Sequence, residues 1–283
     1  MTNPEEGRGA DLDLPAWTEP FRSEHRADLA RSRPIDPALL DRSWLASRGA
    51  GVTVAIVDSG VEGDHPAIGG QLVRSVRVEL DGEEAAVIDD LPVDVVGHGT
   101  ACAGIIHALA PDADLVSVRV LGQHNTAKGI AFAHALDWVI GQGIEVVNLS
   151  LSSRSEDLFG TFHHLADQAY FANTVLVCAA SNSPGQASYP SLFASVISVA
   201  AHDVADTGAW FYNPRPPVEF GAWGVDVPVA WRGGSSIIAT GNSFATPHVA
   251  GLVARIRATF PTASPFEVKA ILAAAARDPI AAR

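Results

Sequence analysis

Three polar segments of this 283-residue chain carry side chains that could act together in nucleophilic catalysis. Asp58 follows an apolar run, His98 lies in a Gly-His-Gly-Thr segment, and Ser243 precedes an apolar helical pattern. A hydroxyl that attacks a carbonyl, an imidazole that moves its proton and a carboxylate that holds the imidazole together form an acyl-transfer site. Each residue alone has a simpler interpretation, since Asp58 could close a turn, Ser243 could cap a helix and His98 is one of ten histidines.

Alternating strands and helices must position these three groups. Apolar runs rich in β-branched residues predict buried parallel strands, and apolar residues at helical spacing predict helices between them. The predicted strands are 51–57, 115–120, 146–151, 174–179 and 196–200, and the predicted helices are 36–49, 99–109, 129–140, 158–171, 243–260 and one that starts at Ser264. This order predicts an α/β fold of three layers with a mostly parallel central sheet. Asp58 would lie at the carboxyl end of the first strand, where such folds place reactive groups.

The three polar segments resemble the active-site signatures of one family. In chain order they are Val57-Asp58-Ser59-Gly60, Gly97-His98-Gly99-Thr100 and Gly241-Asn-Ser243-Phe-Ala-Thr-Pro-His-Val-Ala-Gly251. They are similar to the signatures of the subtilases, the subtilisin-like serine peptidases of family S8, over nearly all of residues 49–277. The resemblance implies a subtilisin-like fold and a serine endopeptidase. In it Ser243 would attack the scissile carbonyl, His98 would transfer the proton and Asp58 would hold the imidazole.

The same resemblance implies residues that bind the substrate. The segment Ala179-Ala180-Ser181-Asn182 resembles the family's Ala-Ala-Gly-Asn segment, so Asn182 is the expected side-chain donor of an oxyanion hole, beside the N–H of Ser243. Ser152 and Ser181 replace glycines that are common in the family, and we therefore expect a preference for small or polar side chains before the cleaved bond. The segments expected to line the substrate are Leu121-Gly122, Ser150-Leu151-Ser152 and Ala180-Ser181.

We expect no cofactor and no metal. Many secreted members of the family carry a calcium loop inserted in the helix after the catalytic histidine, whereas residues 105–114 pass from helix to strand without an insertion. Asp112 and Asp114 in that turn are expected to be solvated carboxylates. Asn242 replaces the usual threonine before the nucleophile, which alters local hydrogen bonds and leaves every catalytic position filled.

Composition argues against several classes of partner. The net charge of −13 disfavours nucleic acid, because phosphate binding requires clustered Lys and Arg. No apolar run approaches the ~18 residues of a membrane-spanning helix, and residues 1–33 form a polar segment without the apolar core of a secretion signal. Two cysteines, Cys102 and Cys178, do not make a disulfide framework. We therefore expect a peptidase domain over residues 34–283, located in the cytoplasm, with a peptide or protein substrate as its partner; the oligomeric state stays open.

Two other functions compete with an active peptidase. A catalytically silent relative could serve as a binding or scaffold protein, although all three triad positions are filled. A nucleotide-dependent α/β enzyme would share the fold class, but residues 59–63 do not form a G-x-G-x-x-G turn and no G-x-x-x-x-G-K-[ST] occurs. Among peptidases, degradation or regulation of cellular proteins and selective processing, such as removal of a leader peptide, both stay open. Ser152 and Ser181 favour the selective role.

Overall fold

A computed structural model describes residues 36–277, except residues 83, 125, 184 and 216. The polar segment predicted for residues 1–33 lies outside the described residues. The helix predicted for residues 36–49 is wrong, because this segment forms two short 3₁₀ turns, Pro37–Leu40 and Arg42–Ala46. Asp41 separates the two turns because its backbone is extended. It caps the second turn, since its side chain accepts from the N–H of Ser43 at 3.2 Å.

Within the described residues, nine strands form one mostly parallel sheet; numbered along the chain with the bounds given next, they lie in the order β3-β2-β4-β1-β5-β6-β7-β9-β8. They are β1 (Thr53–Asp58), β2 (Leu72–Asp81), β3 (Glu84–Asp89), β4 (Asp114–Arg119), β5 (Val146–Leu149), β6 (Val175–Ala179), β7 (Ile197–His202), β8 (Trp210–Tyr212) and β9 (Phe220–Trp223). The outermost pairs, β2 with β3 and β8 with β9, are antiparallel. Two further strands, β10 (Val227–Trp231) and β11 (Ser235–Ala239), form a separate antiparallel hairpin. The sequence does not predict β2, β3 or β8 to β11.

Strand β1 lies in the middle of the sheet, between β4 and β5. Residues 54–58 of this strand are all buried, as a run of β-branched side chains predicts for a strand covered on both faces. Asp58 is its last residue, in register with Arg119 at the end of β4. The strand therefore carries a carboxylate to its carboxyl end within the buried interior.

Five α-helices cover the sheet in the described part of the chain. They are α1 (His98–Leu109), α2 (Gly129–Gly141), α3 (Phe159–Phe171), α4 (Asn242–Thr259) and α5 (Pro265–Ala275). Helices α2 and α3 pack against each other, whereas α1 packs against α4, which crosses β5, β6 and β7. The predicted three-layer α/β fold is thus confirmed. None of the helices described here combines the length and apolarity that a membrane crossing requires.

Two apolar clusters of the described residues hold the layers together. The first lies between the sheet and helices α2 and α3, and it includes Val57, Val147, Phe132, Leu136 and Phe162. Full burial of such side chains stabilises the fold by about 1.5–3 kcal/mol each. The second includes Ala101 of α1, Val229 of β10 and Phe244 of α4. Because these three elements meet around His98 and Ser243, the second cluster fixes the surroundings of the site.

Candidate active site

Asp58 and His98 form a buried hydrogen-bonded pair. Asp58 ends β1 and has no exposed surface, and His98 is the first residue of α1 and is 7% exposed. The Nδ1 atom of His98 lies 2.8 Å from each of the two carboxylate oxygens of Asp58. This contact fixes the proton on Nδ1, so that Nε2 of a neutral imidazole is the atom able to accept another proton.

Glycines allow the two segments to come this close. A Cβ atom at Gly99 would lie 2.0 Å from the carbonyl oxygen of Gly60, a contact that a side chain could avoid only if the backbone shifted. Gly97, just before His98, has a φ of 116°, and a Cβ there would lie 2.5 Å from the ring of Trp231 in β10. The glycines on both sides of His98 are therefore required by packing, which explains the Gly-His-Gly spacing of the sequence.

A second carboxylate, Asp94, organises the backbone around this pair. Asp94 is 8% exposed. It accepts five hydrogen bonds, from the hydroxyl of Ser59 at 2.8 Å, the N–H groups of Val96 at 2.9 Å, Gly97 at 2.7 Å and Thr100 at 2.8 Å, and the hydroxyl of Thr100 at 2.7 Å. Ser59 in turn accepts from the N–H of Gly99 at 3.1 Å. Asp94 thus ties the segment after Asp58 to the first turn of α1.

Sequence reasoning missed Asp94. The signal available was an acidic residue four positions before His98, next to a predicted helix start, where a carboxylate commonly accepts from free backbone N–H groups.

The electrostatics of the pair favour a protonated histidine more than usual. Burial lowers the pKa of His98, but the charge of Asp58, the hydrogen bond to Asp58 and the charge of Asp94 together outweigh burial. The net effect raises the pKa of His98 above its ordinary value. An imidazolium formed during a reaction would therefore be stabilised here.

Ser243 lies beside this pair, at the start of α4. It is the second residue of the helix, so its N–H has no carbonyl partner within the helix. Its carbonyl accepts from the hydroxyl of Ser150 at 2.8 Å, and the ring of Phe244 lies 5.2 Å from the ring of His98. Among the hydrogen bonds of the described residues, none joins Ser243 Oγ to His98 Nε2. Catalytic hydrogen bonds of this kind often tighten only in the substrate complex.

Asn182 and Asn242 connect the end of β6 to the start of α4. The Oδ1 atom of Asn182 accepts from the N–H of Asn242 at 2.9 Å. The Asn242 side chain accepts from the N–H of Ala201 at 2.8 Å and donates to the carbonyls of Ala180 at 3.1 Å and Ser181 at 3.0 Å. The residue that replaces the usual threonine therefore bonds three backbone groups and holds the Asn182 segment against the helix that carries Ser243.

Two clefts described here share part of their lining, and Ser243 lines the smaller one. A cleft of about 270 Å³ contains Ser243 itself, and a cleft of about 460 Å³ shares residues 150–152 and Asn182 with it. Of the residues predicted to line the substrate, the first cleft is lined by Ser150, Leu151, Ser152, Ala180 and Ser181, and the second by Leu121. Gly122 is not among the described lining residues of either cleft; its N–H donates to the carbonyl of Thr126 at 3.1 Å.

Asp58, His98 and Cys102 also offer metal-ligand atoms, which lie within 4.8 Å of one another. The Cys102 sulfur lies 3.9 Å from Oδ2 of Asp58 and 3.7 Å from the carbonyl oxygen of Ser243. Burial raises the pKa of the Cys102 thiol well above its usual value, and the charge of Asp58 raises it further. The Nδ1 atom of His98 is already bonded to both oxygens of Asp58, at 2.8 Å, so these ligand atoms are engaged with each other. The arrangement fits a hydrogen-bonded acid and imidazole with a packed thiol better than a metal site.

Comparison with known proteins identifies the family. Residues 49–282 match the Subtilase family. A thermostable alkaline protease of Halalkalibacterium halodurans is 33% identical over 76% of this chain and 59% of its own length. Subtilisin Savinase of Lederbergia lenta is 32% identical over 78% of this chain and 81% of its own length. An intracellular serine protease of Paenibacillus polymyxa is 30% identical over 76% of this chain and 69% of its own length.

The fold agrees with these sequence matches. The crystal structure of a cold adapted subtilisin-like serine proteinase superimposes with a TM-score of 0.64 at 25% identity, covering 80% of this chain and 82% of the other. The architecture is therefore that of the subtilisin-like α/β proteins. The chain belongs to the subtilase family, as its three motifs predict. It spans about three fifths of the length of the H. halodurans protease.

Proposed function

We propose that this chain is a serine endopeptidase that hydrolyses peptide bonds through Asp58, His98 and Ser243. The observation that carries the proposal is the buried contact of His98 Nδ1 with both oxygens of Asp58, at 2.8 Å, beside a serine that opens onto a cleft. A merely structural histidine would not need a buried carboxylate on one nitrogen next to a helix whose first turn presents a serine to a cleft.

The reaction follows from the roles of these groups. Ser243 Oγ attacks the scissile carbonyl carbon while Nε2 of His98 takes the hydroxyl proton. Asp58 holds the imidazole and stabilises its charge. The C–N bond then breaks as His98 returns the proton to the departing amine, which leaves an acyl ester on Ser243. A water molecule, activated by His98 in the same way, hydrolyses that ester.

Asn182 and Ser243 would stabilise the negative oxygen of the tetrahedral intermediate. The N–H of Asn242 holds Oδ1 of Asn182, so the opposite end of the amide, the nitrogen, is the end able to donate to substrate. The N–H of Ser243 is the second donor, because it lies in the first turn of α4. Loss of one such donor costs about 10²–10³-fold in kcat.

We further propose a selective, peptide-processing role in the cytoplasm, such as removal of a leader peptide. The relative from P. polymyxa is named an intracellular serine protease, which supports this location. The polar cleft next to Ser243 supports selectivity, because a polar lining discriminates more strongly between side chains than an apolar one does.

A fluorophosphonate probe tests the catalytic proposal. We expect the probe to label Ser243, as located by peptide mass spectrometry, and His98→Ala to slow labelling by about 10⁶-fold. His164→Ala, which changes an exposed histidine on α3, is the matched control and should label at the wild-type rate. A folded wild-type protein that remains unlabelled and cleaves no peptide would instead indicate a catalytically silent binding protein.

A further inference from the structure

The cleft that contains Ser243 has a polar lining. It lies between the segment after β5 and the segment after β6, and within the described part of the chain no Asp or Glu lines it. Its side-chain hydroxyl and amide groups belong to Ser150, Ser152, Ser181, Asn182, Ser183, Gln186 and Ser243. A side chain that enters this cleft therefore meets hydrogen-bonding groups rather than a large apolar surface, and a charged or polar substrate residue loses little when it leaves water.

Arg154 brings a positive charge to this cleft. It lines both clefts beside Ser243, and its Nη1 atom donates to Oε1 of Gln186 at 3.0 Å. This hydrogen bond joins the two walls of the smaller cleft, since Arg154 follows β5 and Gln186 follows β6. A guanidinium has five N–H donors in a planar fork, so the bond to Gln186 leaves donors for a carboxylate.

The charge of Arg154 is not neutralised within the described residues. Arg48, Arg119 and Arg277 each bond a carboxylate at 2.6–2.7 Å, whereas no described ion pair involves Arg154. The nearby carboxylate of Glu156 accepts instead from the hydroxyl of Tyr189 at 3.2 Å. An arginine placed at a substrate cleft with free donors and a neutral partner is suited to a planar carboxylate.

We propose that Arg154 makes this cleft select an acidic side chain, Glu or Asp, in the residue whose carbonyl Ser243 attacks. This inference rests on the proposed peptidase function and defines its substrate class. Arg154 is exposed, so we expect a moderate preference, with kcat/KM about 10-fold higher for Glu than for Gln. This factor lies between the effect of an exposed ion pair and that of a hydrogen bond to a partly buried charge.

The net charge of −13 opposes acidic substrates at long range. Physiological salt screens that repulsion beyond about 8 Å, whereas a direct contact with Arg154 is screened less. The preference is therefore set by the contact, and added salt should reduce it without abolishing it.

The test compares kcat/KM for peptide pools that contain either Glu or Gln at one fixed position and mixtures elsewhere, with cut sites read by mass spectrometry. The wild type should cut after Glu about 10-fold faster than after Gln. In Arg154→Gln the kcat/KM for cutting after Glu should fall while that for cutting after Gln stays the same, so their ratio should be about 1. Arg154→Lys should keep part of the preference. Arg74→Gln, which removes an exposed arginine on β2, is the charge-matched control and should keep the wild-type ratio.

The outcomes separate the two proposals. Equal cleavage after Glu and Gln by the wild type, or an unchanged ratio in Arg154→Gln, would overturn the role of Arg154 while the peptidase function stands. Enrichment of acidic residues at another substrate position would overturn the assignment to this cleft. Absence of any cleavage, with Ser243 unlabelled by the fluorophosphonate, would overturn the peptidase function itself.

Discussion

Asp94 contributes to the site without touching the reacting atoms. Its carboxylate accepts from the hydroxyl of Ser59, which follows Asp58 in the chain. It also accepts from the N–H groups of Gly97 and Thr100 at the start of α1. Its charge also raises the pKa of His98, after the larger contributions of Asp58. Asp94 is thus a positioning residue with an electrostatic effect on the imidazole, and the two roles can be separated by experiment.

Asp94→Asn should move the acid limb of the pH dependence of kcat/KM to lower pH. In the proposed mechanism His98 must be neutral to take the proton of Ser243, so activity should be lost as pH falls through the pKa of His98. Removal of the Asp94 charge lowers that pKa, so the variant should stay active at more acidic pH. Its kcat should fall by about 10-fold, because an amide cannot accept all five hydrogen bonds. The measurement is initial rate against pH at low substrate.

Asp112→Asn provides the control for this shift. Asp112 is an exposed carboxylate that pairs with Arg48 at 2.7 Å, in the turn after α1. The Asp112→Asn substitution removes the same charge and leaves the segment that holds His98 unchanged. A purely structural role of Asp94 would lower kcat and leave the acid limb where it is in the wild type, and that result would refute the electrostatic part of the argument.

At the scale of elements, the approach of α1 to the end of β1 determines whether the pair can form. Gly99→Ala would place a Cβ atom 2.0 Å from the carbonyl oxygen of Gly60 and 3.2 Å from Cβ of Asp58. The backbone must shift, so we expect kcat to fall by about 10²-fold and stability by about 1–3 kcal/mol, while the protein still folds. Circular dichroism and peptide kinetics measure the two effects.

Gly141→Ala is the matched glycine substitution. Gly141 ends α2, and a Cβ atom there would meet nothing within 4 Å. Its kcat should equal that of the wild type, with stability equal or slightly higher because alanine favours the helix. Full activity of Gly99→Ala would show that the close contact is not required for catalysis.

Strands that are buried on both faces and helices with a clear start signal could be predicted from the sequence, and half-exposed strands could not. Strand β1 has a continuous β-branched run, and α5 begins with the capping box of Ser264 and Glu267 that the sequence predicts. By contrast, β2 consists mostly of exposed and half-buried residues, carries Arg74 and Arg77, and lies next to the edge strand β3. It therefore lacks both signals. The hairpin of β10 and β11 depends on packing against α1, which local sequence does not encode.

The same distinction holds for the site. Asp58, His98 and Ser243 lie in short motifs with glycine neighbours, and their chain order is informative. Asp94 and Arg154 act through partners that are distant in sequence or placed by folding, such as Ser59 and Gln186. The role of Arg154 could not be predicted, because no local pattern marks an arginine that joins two loops. For Asp94 the local signal, an acidic residue just before a predicted helix start, indicates a helix cap but not an acceptor of five hydrogen bonds.

At the scale of the whole molecule, the helix that carries Ser243 also carries a buried histidine at the meeting point of the layers. His248 is 2% exposed, its Nδ1 atom donates to the carbonyl of Phe244 at 3.0 Å, and its ring lies 6.0 Å from that of Trp223 in β9. Burial is the main cause that lowers the pKa of His248, to about 4. The folded protein therefore holds this imidazole neutral throughout the mildly acidic range.

This pKa makes the fold sensitive to acid. In the unfolded chain a histidine binds a proton below pH ~6.5, whereas His248 in the folded protein resists protonation down to about pH 4. The unfolded state thus binds more protons within this window, and stability falls as the pH drops through it. Between pH 7 and pH 5 the loss from His248 should be roughly 2 kcal/mol, which is a large part of the stability of an ordinary domain.

His248→Asn should remove that loss. Asparagine can still donate to the Phe244 carbonyl, but it fills less space, so the variant should be less stable than wild type at pH 7 by about 1–2 kcal/mol. Because asparagine does not titrate, the variant should lose less stability on acidification. Urea unfolding at pH 7 and pH 5, in a Ser243→Ala background that prevents self-cleavage, measures the difference. His164→Asn, on the exposed face of α3, should behave as the parent does. Equal acid losses in His248→Asn and its parent would mean that His248 titrates alike in both states. The acid sensitivity of the molecule would then arise from other groups, such as His107 and His202, whose pKa values burial also lowers.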